Sequence, residues 1–243
     1  MILLPAADAA FLLPEELTML MGVGVEIVPE LPRRGPSTLA LTRYPDGLWG
    51  LHDPSVKRGA VLKPDFMDGT MERRVRMTWH MHEPLRNALG ATKSQHWTVL
   101  DATCGLGTDA WMMAAWGHQV RAYERHPLLA WLLQGAWQAA GAPASVDLRA
   151  GDAQACTDRF QVVYLDPMYP ESKKSALPSG ELQLLRRLLE GDEPPDNLLD
   201  WALGCATMKV VVKRPKRAET LPYSRGPSFV VEEQSTRYDV YVP

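Results

Sequence analysis

From Thr98 to the C-terminus, short apolar runs alternate with longer segments whose apolar residues recur at helical spacing, which predicts a doubly wound α/β sheet. Thr98-Val99-Leu100, Gln119-Val120-Arg121-Ala122-Tyr123, the stretch ending in Leu148-Arg149-Ala150, Val162-Val163-Tyr164-Leu165 and Lys209-Val210-Val211-Val212-Lys213 read as strands. Helices are predicted over residues 110–116, 127–139 (stopped by Gly141), 180–189 and 197–205. Residues 228–231 and 237–242 read as a closing hairpin. A terminal hairpin after such a series fits a Rossmann-like seven-stranded sheet whose last strand is inserted antiparallel. Residues 1–62, rich in proline and glycine with strand-like pieces at 23–28 and 37–41, predict a small β-containing N-terminal subdomain. Residues 63–97 read as a connecting segment that ends in a helix at 83–89, closed by Gly90, and residues 98–243 as the main domain.

The chemistry-bearing residues fall where predicted strands end. Asp101 closes the first strand and leads into Gly105-x-Gly107-x-x-Ala110, a turn that lets backbone approach a ligand and offers free N–H groups at a helix start. That spacing also fits a dinucleotide site, so alone it leaves a nicotinamide-dependent oxidoreductase open. Glu124 ends the second strand, where a carboxylate can accept the two hydroxyls of a ribose. Asp152 follows the third, either as an acceptor for an adenine amine or as a helix cap. The fourth runs into Asp166-Pro167-Met168-Tyr169: a carboxylate to accept from an amine, a ring that fixes the turn, and an aromatic face on which a base can stack. Carboxylates at four successive strand ends would repel a pyrophosphate but suit a sulfonium cation, which favours S-adenosylmethionine as cofactor.

Composition narrows this only slightly. The chain has 243 residues, 46% hydrophobic and 23% charged, with net charge −3, so it is no general polyanion binder. Contacts to a nucleic acid then need local basic patches, for which Arg73, Arg74, Lys173, Lys174, Lys213 and Arg214 are the candidates. Three widely spaced cysteines and the absence of a signal peptide or a long apolar run point to a cytoplasmic chain off the membrane. No metal site is expected: His80-x-His82 lacks a further ligand at metal spacing. Cys104 reads as a small residue packing the turn, and Trp111, Trp116, Trp131 and Trp137 as core.

Taken together, Asp101-Ala-Thr-Cys-Gly-Leu-Gly-Thr-Asp109, Tyr123-Glu-Arg-His-Pro127, Val162-Val-Tyr-Leu-Asp-Pro-Met-Tyr-Pro170, Lys174-Ser-Ala-Leu177, Val210-Val-Val-Lys-Arg-Pro215 and Arg237-Tyr-Asp-Val-Tyr241 resemble the ribosomal RNA small subunit methyltransferase J family. The resemblance implies a class I methyltransferase sheet and methylation of a guanine N2 amine in 16S rRNA, the partner being that RNA or the small ribosomal subunit. It implies cofactor contacts at Thr108, Asp109, Glu124, Arg125, Gly151, Asp152 and Asp166, beside the Asp101, Gly105 and Gly107 read above. Asp166, Pro167 and Tyr169 would form the catalytic group. The chain departs from the family pattern at Thr108, where Arg is usual, at Tyr169, where Phe is commoner, and at Met77-Thr78-Trp79-His80, where glycines are usual. The competing readings are an amino-methyltransferase acting on another RNA, on DNA or on a protein amide, and a non-catalytic RNA-binding protein.

Overall fold

The predicted alternation is realised in the computed structural model, which describes residues 1–31, 38–56, 59–77, 83–167, 179–191, 195–221 and 225–243. In chain order the elements are β1 (Ile2–Pro5), α1 (Ala6–Ala9), α2 (Pro14–Gly22), β2 (Val25–Val28), β3 (Leu39–Arg43), β4 (Trp49–His52), β5 (Val61–Leu62), α3 (Thr70–Met77) and α4 (Pro84–Leu89). They continue with β6 (Thr98–Asp101), α5 (Thr108–Ala115), β7 (Gln119–Glu124), α6 (Pro127–Ala140), β8 (Val146–Ala150), β9 (Phe160–Leu165) and α7 (Gly180–Leu188). The last are α8 (Leu198–Cys205), β10 (Ala206–Pro215), β11 (Phe229–Glu232) and β12 (Thr236–Tyr241). Two compact units result: one of residues 1–65, 131–139 and 169–193, the other of 66–130, 140–168 and 194–243.

The first unit carries a five-stranded sheet in the order β2-β1-β3-β4-β5. β1 runs parallel to both its neighbours, and β3, β4 and β5 form an antiparallel meander. Gly24, at φ 85°, turns the chain immediately before β2, so that strand starts two residues later than the 23–28 pattern predicts. Helix α2 starts with Pro14, whose fixed φ and missing N–H suit a first helical position, and Glu16 accepts from the Leu13 N–H at 2.8 Å. In this unit Trp49 and Trp131 pack at 5.5 Å between ring centroids, and the Trp131 indole N–H donates to Glu16 at 3.1 Å.

The second unit holds the seven-stranded sheet, in the order β11-β12-β10-β9-β6-β7-β8. The strands from β10 to β8 are mutually parallel, and β12 lies antiparallel between β11 and β10. The expectation of a final strand inserted against the direction of the rest is met. Val162, Val163 and Leu165 of β9 have no exposed surface, as a central parallel strand covered on both faces requires. Side chains alternate across the sheet, and this assigns each face. Leu100, Val163, Leu165, Val210, Val212 and Tyr241 form one core with Leu198, Leu199 and Ala202 of α8. Residues of the other parity, Asp101, Tyr164, Lys213 and Tyr238 among them, therefore lie on the opposite face. There Tyr164 and Lys213 reach Asp109 of α5, and Lys209 Nζ donates to the Leu89 carbonyl of α4. No helix among the described residues is long and apolar enough to cross a membrane.

Candidate active site

Strand register decides which carboxylates meet. Asp101 is level with Ala122 of β7 on one side and Tyr164 of β9 on the other. Glu124 and Asp166 each lie two residues farther along, so both stand past Asp101 on the same face. Ala150 of β8 is level with Glu124, which sets Asp152 two residues beyond it in turn. Val212 is level with Leu165, so Lys213 stands beside Asp166, and it pairs across strands with Tyr238. The four acidic strand ends named from the sequence thus occupy adjacent strands at the carboxyl edge of a parallel sheet, the edge where ligands bind in such folds.

On one side of Asp101, the carboxylates bind backbone. Gly105 and Gly107 adopt positive φ of 57° and 75°, a conformation that side-chain-bearing residues enter only with strain. The Gly107 N–H donates to the Cys104 carbonyl at 2.9 Å, closing the turn, and Gly107 caps α5. Glu124, almost fully buried, accepts from the Gly105 N–H at 2.8 Å and the His126 N–H at 2.7 Å, and so ties the glycine turn to the end of β7. Asp101 is 1% exposed; its Oδ1 accepts from the Thr103 N–H at 3.2 Å, while Oδ2 is buried with no hydrogen-bond partner among the described residues. Burial, reinforced by the charge of Asp109, pushes the Asp101 carboxyl well above the usual carboxylate range. Asp152 is exposed and takes the capping role, accepting from the Gln154 N–H at 2.9 Å as N-cap of a short turn at Ala153–Ala155. Thr108 and Arg125 are half-buried beside these groups in sequence.

Between Asp101 and β10, the carboxylates bind a cation instead. Lys213 Nζ lies 2.8 Å from Asp109 Oδ2 and 2.7 Å from Asp166 Oδ2, and the Tyr164 hydroxyl donates to the same Asp109 oxygen at 2.6 Å. Burial alone would raise the Asp109 carboxyl, but Lys213 and then the Tyr164 hydroxyl hold it below the usual range. For Asp166 burial wins over Lys213, and its carboxyl sits above the usual range. Burial disfavours the Lys213 ammonium, yet Asp109 and Asp166 together carry it above the ordinary lysine value. The Asp166 N–H donates to Thr103 Oγ1 at 2.6 Å, and the Ala102 N–H to the Tyr164 carbonyl at 3.1 Å, which extends the β6–β9 pairing beyond both strands. Pro167 follows, buried.

The structure also corrects parts of the sequence reading. The basic cluster at the end of β10 predicts phosphate contacts for Lys213 and Arg214. Lys213 is instead bound between two carboxylates inside the site, and Arg214 is 6% exposed and donates to the Glu219 carbonyl. Tyr164 and Tyr238 were not singled out; their parity with Asp101 on alternating strands is the signal that would have found them. Of the other basic candidates, Arg73 is exposed on α3, and Arg74 is half-buried with Glu83 at 3.3 Å. Tyr169, Lys173, Lys174, His80 and His82 lie outside the described residues. Cys104 is buried, and burial pushes its thiol well above the ordinary value, so it packs the turn as a neutral group. Trp111, Trp116 and Trp137 are buried as expected.

The donor set suits an adenosine-bearing cation. The edge combines an unpartnered buried carboxylate oxygen on Asp101 with glycine positions where a side chain would enter open space. A Cβ at Gly151 meets nothing within 4 Å, and one at Gly105 meets only the Thr103 carbonyl at 3.9 Å. Among the described residues no three His, Cys, Asp or Glu side chains group as a metal site.

The sheet order, the glycine turn and the acidic strand ends define an S-adenosylmethionine-dependent methyltransferase, and residues 30–243 match the family model of SAM-dependent methyltransferases. A solved SAM-dependent methyltransferase from Neisseria gonorrhoeae superposes with a TM-score of 0.67 at 27% identity, covering 100% of this chain and 95% of that one. Two relatives named ribosomal RNA small subunit methyltransferase J are closer in sequence. The Nitrosococcus oceani protein is 40% identical over 79% of this chain and 80% of its own length. The Haemophilus influenzae protein is 39% identical over 85% of this chain and 84% of its own. The chain belongs to the ribosomal RNA small subunit methyltransferase J family.

Proposed function

We propose that this chain transfers a methyl group from S-adenosylmethionine to the exocyclic N2 amine of a guanine in 16S ribosomal RNA. The observation that carries the amine chemistry is Asp166: one carboxylate oxygen is bound to Lys213 and the other has no partner among the described residues, at the tip of a central parallel strand. The RNA is carried by the names of the relatives.

When bound, S-adenosylmethionine supplies a methyl group on a sulfonium sulfur that departs as a neutral sulfide. Glu124, fixed at the end of β7 by the Gly105 and His126 amides, would accept the ribose hydroxyls. Asp101 Oδ2 and the Gly105–Gly107 turn would hold the amino-acid part, and the second oxygen of Asp152 would accept from the adenine amine. Thr108, Asp109, Arg125 and Gly151 frame the same space.

A guanine amine is a poor nucleophile because its lone pair is delocalised into the ring. Asp166 Oδ1 and the carbonyl at Pro167 would accept its two hydrogens and hold the nitrogen pyramidal, its lone pair directed to the methyl group that the cofactor would supply. The methylated nitrogen carries one proton too many and releases it to Asp166 or to water. A carboxyl raised by burial is the better acceptor for that proton. Tyr169 stacks on the extruded base, and Arg73, Arg74, Lys173 and Lys174 contact phosphates. In this reading residues 98–243 are the methyltransferase domain, 63–97 cover the cofactor or contact RNA, and 1–62 form an appended subdomain.

The test uses small ribosomal subunits from cells lacking this chain, incubated with the purified protein and methyl-labelled S-adenosylmethionine, then digested for mass spectrometry. The expected product is N2-methylguanosine in the 16S RNA. Label on another base, on protein only, or nowhere overturns the reading.

A further inference from the structure

Lys213 is a charged component of this edge that neither the fold class nor the acidic strand ends account for. It sits on β10 between two paired strands, where a charged side chain needs partners to be tolerated. Two carboxylates from different elements supply them: Asp109 from the first turn of α5 and Asp166 from the end of β9. A lysine serving an RNA phosphate would keep its ammonium for the ligand. Here two of its three donor positions are already taken.

We propose that Lys213 is a positioning residue for methyl transfer: its ammonium, anchored by Asp109, holds Asp166 by one oxygen so that the other is presented to the acceptor amine. The inference rests on the amine-methyltransferase reading above and deepens it. Asp109 is itself fixed from the opposite side by the Tyr164 hydroxyl, so Tyr164, Asp109, Lys213 and Asp166 form a continuous chain across β9, α5 and β10. Removing the lysine leaves two carboxylates that share one cation facing each other without it. Asp166 then loses its orientation and its ionised form together, because Asp101 and Asp109 oppose its charge and burial already disfavours it. The other titratable and charged groups facing this cluster are Tyr164 of β9, Tyr238 of β12 and, toward Asp109, Arg74 of α3.

The experiment compares wild type with Lys213→Met and Lys213→Arg in two measurements. The first is steady-state transfer to unmethylated small subunits across pH. In Lys213→Met, kcat falls about a hundredfold with KM for the subunit little changed, the acid limb of the kcat profile moves to higher pH, and Lys213→Arg restores much of the rate. The second is a carbon-13 NMR titration of aspartate carboxyls, with the Asp166 signal assigned by Asp166→Asn. The Asp166 titration moves to higher pH in Lys213→Met and stays near wild type in Lys213→Arg. Should Lys213→Met fail to fold, Lys213→Gln, which keeps a donor without charge, takes its place with the same expected directions. A raised KM with unchanged kcat and a weaker salt dependence marks a phosphate contact and overturns the proposal, as does an Asp166 titration that does not move. If the wild type transfers no methyl to these subunits, the function proposed above fails, while the NMR titration still decides the role of Lys213.

Discussion

Glu124 and Asp166 make an informative pair. Each stands two residues past Asp101, on the strands flanking it, and each carries a carboxylate on the same face of the sheet. Yet Glu124 is held by two backbone N–H groups, which cannot change charge, and Asp166 by an ammonium, which is itself held by a second carboxylate. Backbone amides fix a carboxylate as a permanent acceptor, suited to hydroxyls that keep their protons. Burial and the charge of Asp109, only partly offset by the shared ammonium, bring Asp166 closer to gaining a proton, suited to an amine that must lose one. In the proposed reading the same functional group serves binding on one side and chemistry on the other, and the difference lies in what holds it.

The largest effect that breaks this comparison is at Asp166. Asp166→Asn keeps the shape and one acceptor but cannot take up a proton. Single-turnover transfer should fall about a thousandfold. Transfer within tenfold of wild type would show that the contrast has no catalytic meaning.

Acid titration sharpens the comparison once one buried base is accounted for. His118 has no exposed surface, accepts from the Trp97 N–H at 3.0 Å, and burial lowers its pKa to about 4. An unfolded histidine titrates near 6.5, so the unfolded state binds the extra proton first as pH falls. Stability is therefore full above about 6.5 and declines by about 3 kcal/mol as pH drops toward 4, measured by urea unfolding. In His118→Gln that slope should disappear, while the fold and the site remain.

Glu124→Ala removes the acceptor of two backbone amides. It should weaken S-adenosylhomocysteine binding by roughly tenfold to a hundredfold and cost about 2 kcal/mol of unfolding free energy. Calorimetry and denaturant melts read the two losses separately, and both should appear.

The smallest effect has the opposite sign. The folded-state pKa of Asp101 is raised, so its ionisation favours the unfolded chain, and the stability present at low pH is lost as pH rises past the unfolded value near 4. Asp101→Asn keeps the acceptor for Thr103 without that charge. It should be more stable than wild type at neutral pH by on the order of 1 kcal/mol, with weaker cofactor binding. Equal stability would mean that the buried carboxylate is not under electrostatic strain.

Much of this architecture was legible because burial on both faces writes β9 as the apolar run Val162–Leu165 and β6 as the shorter Val99-Leu100, with Asp166 and Asp101 marking their ends. The glycine turn was legible because positive φ at Gly105 and Gly107 demands that residue type. Lys213 was misread for a physical reason: in sequence it belongs to Lys213-Arg214-Pro215-Lys216-Arg217, which looks like a solvated basic patch. Strand β10 runs to Pro215, however, so alternation sends Lys213 inward toward Asp109. Helix α3 was missed because its mostly polar surface, with only Met71 buried, gives little apolar periodicity to detect. Asp152 takes the capping role weighed for it, one oxygen accepting from the Gln154 N–H.

The most direct test of this division of labour is calorimetric titration of S-adenosylhomocysteine into wild type, Glu124→Ala and Asp166→Asn under one set of conditions. Asp166→Asn should bind within about threefold of wild type while Glu124→Ala loses at least about tenfold. Equal losses in the two variants, or no binding to the wild type, would contradict the account.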